Sequence, residues 1–383
     1  MIQAKAGTAP GGVAELHLVV AARPNLPKIA ALWHALRAHP VGLQPVIVHT
    51  GQHHDARMFG AHLADLGLPA PDVSLGVAGG GHAALVAGTM VACAALWEAR
   101  RPALVVVPGD VDGALAATLA ARKLAIPVAH LEAGLRCGDR DMPEEINRRA
   151  MDAVSDLLWA PDEATAARLL REGHDPASVR AVGNSMADSL LRALPAARRR
   201  PLPAGLTPGG YGVVTLHRPA NVDDPVALRA LLQAIAEASR RLPLAWPMHP
   251  RTAARLAALG LAEEDGLPDG VPGNVSILPP LGYGDFLALL SRARLVATDS
   301  GGVQEEATIL GLPCLTLRPS TERPVTLEGA NRLVAPAALP DAVAEVLGGC
   351  WPRARPVPLW DGQAGRRMAE HLREHFGAER LAA

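Results

Sequence analysis

Apolar residues along this chain fall into short unbroken runs that alternate with longer segments of helical period. Leu16–Ala22 is such a run. It is closed by Arg23-Pro24-Asn25 and reads as a strand ending in a loop. Leu26–Ala38 follows with helical spacing. The pair recurs as Pro45–His49 with Ala56–Leu66, Ala103–Val107 with Val111–Lys123, Pro127–Leu131 with Glu144–Val154, and Leu157–Ala160 with Glu163–Gly173. A glycine-rich loop, Gly76–Gly81, precedes a long Ala-rich helix at His82–Arg100, and Val179–Val182 is one more strand. This alternation predicts an α/β fold with a parallel, doubly wound sheet and right-handed crossovers.

Ser185–Leu194 reads as a connecting helix, and 195–210 is rich in Pro, Arg and Gly, which marks a domain boundary. A second series then repeats the pattern. Strands are expected at Tyr211–Leu216, Leu244–Pro247, Val275–Leu278, Arg294–Thr298 and Cys314–Leu317. Helices are expected at Pro225–Leu242, Thr252–Leu259, Tyr283–Ala293, from Ser300 to Leu310, and at Leu339–Leu347. The resulting division is a disordered tail over 1–14, Rossmann-like domains over 15–190 and 191–362, and a C-terminal segment over 363–383. The last helix, Ala364–Phe376, is expected to pack back on the first domain. Two such domains facing each other would leave a cleft.

Composition narrows the function. A net charge of −1 over 383 residues leaves no nucleic-acid footprint. The run Arg198-Arg199-Arg200, beside Pro201 and Pro203, reads as a solvated linker. Cys93, Cys137, Cys314 and Cys350 are scattered without a CxxC, which fits a reducing cytoplasm. No apolar stretch reaches the roughly 18 residues of a membrane helix, and no secretory signal is evident, so no membrane partner is expected. GxGxxG is absent, which argues against a dinucleotide cofactor. His53, His54 and Asp55 lack a further ligand at a supporting spacing, so no metal is expected either.

The richest stretch is 298–324. A strand ends at Thr298 and turns through Asp299-Ser300-Gly301-Gly302 into a helix that Gly311 and Pro313 stop. Ser300 suits the N-cap. Two glycines there let a ligand approach bare amides at the positive end of a helix, an anion site best suited to phosphate. Glu305 and Glu306 follow one turn later, where a carboxylate can accept from sugar hydroxyls. Phosphate next to ribose points to a nucleotide.

Other candidates also stand just past strand ends, where open α/β sheets bind ligands. Asp110, Glu132, Glu144 and Glu145 would bring carboxylates to one side of the cleft. Like charges in a partly dry site push one pKa up, as paired acid/base work requires. Glu144 and Glu145, following Pro143, are equally the ordinary acids of a helix's first turn. His217-Arg218 could bind phosphate or protonate a leaving group, and His249-Pro250-Arg251 repeats that placement. Arg23, Lys28 and Arg323 supply cations.

Taken together, the motifs resemble the non-hydrolysing bacterial UDP-N-acetylglucosamine 2-epimerases. They run in order from Ala22-Arg23-Pro24-Asn25 with Lys28, Thr50-Gly51-Gln52-His53 and Gly109-Asp110 to His130-Leu131-Glu132-Ala133-Gly134-Leu135-Arg136. Pro143-Glu144-Glu145-Ile146-Asn147-Arg148, Val182-Gly183-Asn184, Thr215-Leu216-His217-Arg218 and Pro247-Met248-His249-Pro250 follow, then 298–306 and Thr321-Glu322-Arg323-Pro324. The resemblance implies the GT-B architecture of two facing Rossmann-like domains, a homodimer, a UDP-sugar substrate and no cofactor. It implies that Asp110, Glu132 and Glu144 are catalytic carboxylates and that His217 works near the diphosphate. It further implies that Ser300, Gly301 and Gly302 bind the diphosphate, that Glu306 binds the ribose, and that Arg23, Lys28, Arg148 and Arg323 contact substrate. The implied chemistry eliminates UDP to a 2-acetamidoglucal and adds it back with C2 inverted.

The chain also departs from the family pattern. Asn25 stands where many members have Glu, and Pro219-Ala220-Asn221 where Arg-Glu-Asn is common. These departures leave open a relative of the substrate such as a UDP-2,3-diacetamido uronic acid. A hydrolysing outcome, a GT-B glycosyltransferase and an inactive nucleotide-sugar binder are the other readings. Some members have a second, allosteric site to which the Gln52-His53 loop would belong.

Overall fold

The structure is a computed structural model that describes residues 13–51, 56–260 and 273–380. Most of the expected tail over 1–14, and Gln52, His53, His54 and Asp55, lie outside the described residues. Contacts divide the chain into two units, Met1–Arg192 with Pro358–Ala383, and Ala193–Val357.

The first unit runs β1 (Ala14–Val20), α1 (Asn25–Ala38), β2 (Leu43–His49), α2 (Ala56–Leu66), β3 (Val73–Ser74), α3 (His82–Ala99), β4 (Leu104–Pro108) and α4 (Asp112–Lys123). It continues with β5 (Val128–Leu131), α5 (Pro143–Val154), β6 (Leu157–Ala160), α6 (Glu163–Arg171), β7 (Val179–Ala181) and α7 (Ser185–Ala197). Its strands form one sheet in the order β3-β2-β1-β4-β5-β6-β7. Every pairing is parallel. Ala14 already pairs with Leu43, one residue inside the expected tail.

The second unit runs β8 (Gly212–Thr215), α8 (Pro219–Val222), α9 (Pro225–Ser239), β9 (Leu244–Pro247), α10 (Pro250–Ala258), β10 (Val275–Leu278) and α11 (Tyr283–Leu290). Then come β11 (Leu295–Thr298), α12 (Gly301–Leu310), β12 (Cys314–Thr316), β13 (Asn331–Leu333) and α13 (Leu339–Leu347). Its sheet is also parallel, in the order β10-β9-β8-β11-β12-β13.

Counted within each unit, both sheets have the order 3-2-1-4-5-6, with a further strand, β7, at one edge of the first. The strand order therefore reverses between β1 and β4, and again between β8 and β11. Doubly wound sheets take ligands just past the carboxyl ends of the strands at such a reversal. The cores are aliphatic with buried tryptophans, among them Trp97 and Trp159 in the first unit and Trp246 in the second.

The last helix, α14 (Ala364–Arg380), belongs to the first unit and packs on α1. The Asp188 carboxylate accepts from the amides of Ala364 and Gly365 at its start, at 3.1 and 2.8 Å. Trp159 Nε1 donates to His371 Nδ1 at 3.0 Å farther along. By length and composition, α3 is apolar enough to cross a membrane. That qualifies the reading from sequence, which found no stretch of that kind. Thr89, Cys93 and Trp97 are its buried positions, and α4 packs against it.

Candidate active site

In the first unit the first turn of α1 and the loops after β4 and β5 bring Lys28, Gly109 and Glu132 together. Lys28, 8% exposed, places Nζ 2.5 Å from Glu132 Oε2. Glu132 is 7% exposed, and its other oxygen, Oε1, is buried without a hydrogen-bond partner among the described residues. Its φ of 73° lies in the left-handed region, which costs a non-glycine residue about 1–3 kcal/mol and marks functional sites. A Cβ on Gly109, at φ 71°, would sit 2.9 Å from Lys28 Nζ and push the lysine off Glu132, and the left-handed backbone itself favours glycine.

Arg148 reaches Asp110 from α5, with Nε 2.8 Å from Asp110 Oδ2. Its Nη1 lies 2.9 Å from Glu145. The structure separates the two first-turn acids of α5. Glu145 is fully buried and accepts from the Cys137 amide, Arg148 and Arg149. Burial pushes its pKa up, but those donors outweigh burial and hold it below the usual carboxylate range. Glu144 is half-buried and makes no hydrogen bond or ion pair among the described residues. The free acid at the helix start is thus Glu144, and Glu145 is framework. Arg23, half-buried after β1, completes this edge.

Sequence reasoning gave no role to three residues that hold these loops in register. Asn25 accepts from the amides of Ala21 and Ala22 and donates to the Pro108 carbonyl, tying the β1 loop to the β4 loop. Asn147 donates to the Asp110 carbonyl and to Asp112. His130, fully buried, contacts Asp152 through Nδ1 and the Gly109 carbonyl through Nε2. Asn25 could have been noticed in the sequence as the departure from the family's Glu.

In the second unit, Ser300 caps α12 as expected, its hydroxyl accepting from the Val303 amide at 3.5 Å. The two glycines differ. A Cβ on Gly302 would meet only Ser300 Oγ, at 4.0 Å, so that side is open. A Cβ on Gly301 would sit 2.8 Å from Arg323 Nη1 and 2.9 Å from Glu322 Oε1. A side chain at 301 would have to displace the ends of Arg323 and Glu322, as well as crowd any ligand. Arg218, Arg318 and Arg323 converge on the buried Glu322 at 3.2, 2.7 and 2.8 Å. Burial opposes its charge, but Arg323 and Arg318 hold its pKa well below the usual range. Arg323 also lies 2.7 Å from Glu305. These guanidinium groups are matched in number by the carboxylates of Glu322, Glu305 and Asp299, so what favours an anion at the amino end of α12 is its open backbone amides and helix dipole.

Glu306 is 5% exposed. Burial first, and the charge of Glu305 second, push its carboxyl up to about 8. His217 follows β8, with Nδ1 3.0 Å from Asp299 Oδ1. His249 caps α10, with Nδ1 accepting from the Arg251 amide at 3.2 Å. The helix expected from Thr252 therefore starts two residues earlier, at Pro250. The two imidazole centroids are 5.3 Å apart.

Two Rossmann-like domains, one lined with carboxylates and the other with an anion-binding turn at their strand-order reversals, define an enzyme with the domain composition of the GT-B class. Comparison with known proteins narrows this. The model of the UDP-N-acetylglucosamine 2-epimerase family matches residues 34–373, and the chain belongs to that family. Membership makes it an isomerase acting on UDP-sugars.

The UDP-2,3-diacetamido-2,3-dideoxy-D-glucuronate 2-epimerase of Pseudomonas aeruginosa is 38% identical over 362 residues, 92% of this chain and 98% of its own length. The UDP-N-acetylglucosamine 2-epimerase of Methanocaldococcus jannaschii is 38% identical over 330 residues, 84% of this chain and 88% of its own. A crystal structure of the Methanocaldococcus jannaschii enzyme, in complex with UDP-GlcNAc and UDP, has a TM-score of 0.81 at 35% identity. That match covers 94% of this chain and 99% of that one.

Proposed function

We propose that the protein interconverts UDP-N-acetylglucosamine and UDP-N-acetylmannosamine by eliminating UDP to 2-acetamidoglucal and adding it back. The C2 proton of a sugar is not acidic. Breaking the C1–O bond first puts positive charge at C1, which makes C2–H removable. In this reading Ser300, Gly301 and Gly302 hold the diphosphate, Arg323 adds charge there, and Glu306 takes the ribose. His217 and His249 serve the leaving UDP oxygens, where preorganised donors lower the barrier most. Asp110, Glu132 and Glu144 act on the hexose, with Lys28 and Arg148 setting their charge and Arg23 contacting substrate.

The observation that carries this reading is Glu132. It is buried, bound to Lys28 through one oxygen and unpartnered at the other among the described residues, on a left-handed backbone. A carboxylate kept this way is suited to take or give a proton at a bound substrate. A homodimer is proposed as the assembled state, in keeping with exposed apolar positions on α3 such as Val91, which is 71% exposed. Light scattering tests it.

A second substrate is supported by the Pseudomonas aeruginosa relative, which is as similar to this chain as the Methanocaldococcus jannaschii one. One experiment separates the readings. The protein is incubated in deuterated water with UDP-N-acetylglucosamine and, separately, with UDP-2,3-diacetamido-2,3-dideoxy-glucuronate. Deuterium at C2 with UDP still attached identifies the sugar it epimerises. Free UDP with free N-acetylmannosamine would mean hydrolysis. No exchange with either sugar overturns the proposal.

A further inference from the structure

We propose that Asp299 is the positioning residue for His217, fixing its ring so that Nε2 is the nitrogen offered to the departing diphosphate. This rests on the reading that His217 serves the leaving group. Asp299 follows β11 directly and is fully buried. The register of β8 and β11, with Thr298 opposite Thr215, sets it beside the loop that begins at Leu216. Its carboxylate accepts from the amides of His217 at 3.1 Å and Arg218 at 3.0 Å, and from Asn221 Nδ2 at 3.0 Å. The fourth contact is the His217 ring, Nδ1 to Oδ1 at 3.0 Å. Burial raises the pKa of Asp299, but the bonds from His217, Arg218 and Asn221 outweigh burial and keep it lowered. It is therefore an ionised acceptor.

A carboxylate can only accept, so His217 must donate through Nδ1, which leaves Nε2 for the ligand. His249 is set the other way. Its Nδ1 accepts from the Arg251 amide, so its proton sits on Nε2. Two adjacent imidazoles, 5.3 Å apart, are thus locked in opposite tautomers by groups on their own unit. Amide binding alone would be served by any side chain with an oxygen. The ring contact needs a charge. When His217 is protonated, Nε2–H donates to the UDP oxygen that receives the electron pair of the breaking C1–O bond. The reverse step returns that pair to C1, and Asp299 balances the ring's charge throughout.

The test uses the full chain with ¹⁵N-labelled histidine, the wild type beside Asp299→Asn, His217→Gln and the double variant. Asparagine keeps an oxygen for the amides but turns an N–H₂ toward Nδ1. The expected wild-type spectrum shows His217, assigned by its loss in His217→Gln, protonated at Nδ1, and His249 protonated at Nε2. In Asp299→Asn the proton of the neutral His217 ring should move to Nε2, and the doubly protonated ring that acts as the donor loses the carboxylate balancing its charge, so kcat should fall roughly 10-fold or more with KM for the UDP-sugar changed less than about 3-fold. Added to His217→Gln, the same change should cost nothing further. A wild-type His217 protonated only at Nε2 overturns the proposal even if Asp299→Asn does not fold. Wild-type kcat in Asp299→Asn, with His217→Gln impaired, overturns it as well. Full activity in His217→Gln would instead refute the leaving-group role on which it rests.

Discussion

Exchanging Glu306 for glutamine barely alters the shape of the side chain but removes its ability to ionise. Glu306 is 5% exposed, on the same helix as Glu305, whose carboxylate is held 2.7 Å from Arg323. Burial and that neighbouring charge raise the Glu306 carboxyl from 4.5 to about 8. A group with a raised folded-state pKa binds its proton more tightly folded than unfolded. Its contribution to stability is therefore complete below about pH 4.5, shrinks as pH rises, and is gone above about pH 8. The gap between those values corresponds to a ceiling of roughly 4–5 kcal/mol. Glutamine mimics the protonated acid at every pH. Glu306→Gln should thus match the wild type in urea midpoint near pH 5 and exceed it progressively up to pH 8, with a constant lead beyond. Urea titrations at pH 5, 6, 7, 8 and 9 read this directly. An offset that stays the same across that range would refute the reasoning. The same proton bears on nucleotide binding. If Glu306 meets ribose hydroxyls as a carboxylate, UDP binding below pH 8 should release a proton, visible as a buffer-dependent heat in calorimetry.

The remaining expectations concern single sites. Gly301→Ala should push Arg323 and Glu322 aside and weaken UDP affinity about 10-fold or more by calorimetry, while Gly302→Ala meets no close neighbour and should fold with an unchanged melting temperature. Lys28→Met leaves Glu132 charged and buried without its partner, and should cost about 3 kcal/mol or more in denaturant stability together with nearly all turnover. Glu144→Gln should lose turnover at unchanged melting temperature. Glu145→Gln should lower the melting temperature, because it breaks the bonds to Cys137, Arg148 and Arg149. A wild-type melting temperature in Glu145→Gln would return that acid to the list of catalytic candidates.

Elements with a strong apolar period were legible in the sequence, most strands to within a residue or two, while the carboxyl ends of helices such as α7, α9, α11 and α14 differ by three or four residues. Leu157–Ala160, Leu244–Pro247 and Ala56–Leu66 coincide with their observed bounds. The two edge strands β3 and β13 were not, because Val73–Ser74 is two residues long and Asn331–Leu333 is mostly polar and exposed. No local pattern carries the order of strands, so the placement of Asp110 and Ser300 at the two order reversals became visible only with the sheets assembled. The cap at Ser300 was readable from chemistry alone. Asp299 was not, since beside a capping serine it looks like any turn residue, and its partners lie 78 to 82 positions away. Glu144 and Glu145 carried the same signal as first-turn acids. Only burial and the pairing with Arg148 and Arg149 tell them apart.

In the proposed reaction Glu132 moves a proton at C2 of the bound UDP-sugar. That step is tested most directly by Glu132→Gln, measured for UDP affinity by calorimetry and for deuterium uptake at C2 of the UDP-sugar in the same preparation. Affinity should stay within about 3-fold of wild type and uptake should fall roughly 1,000-fold or more. Uptake at the wild-type rate would contradict it.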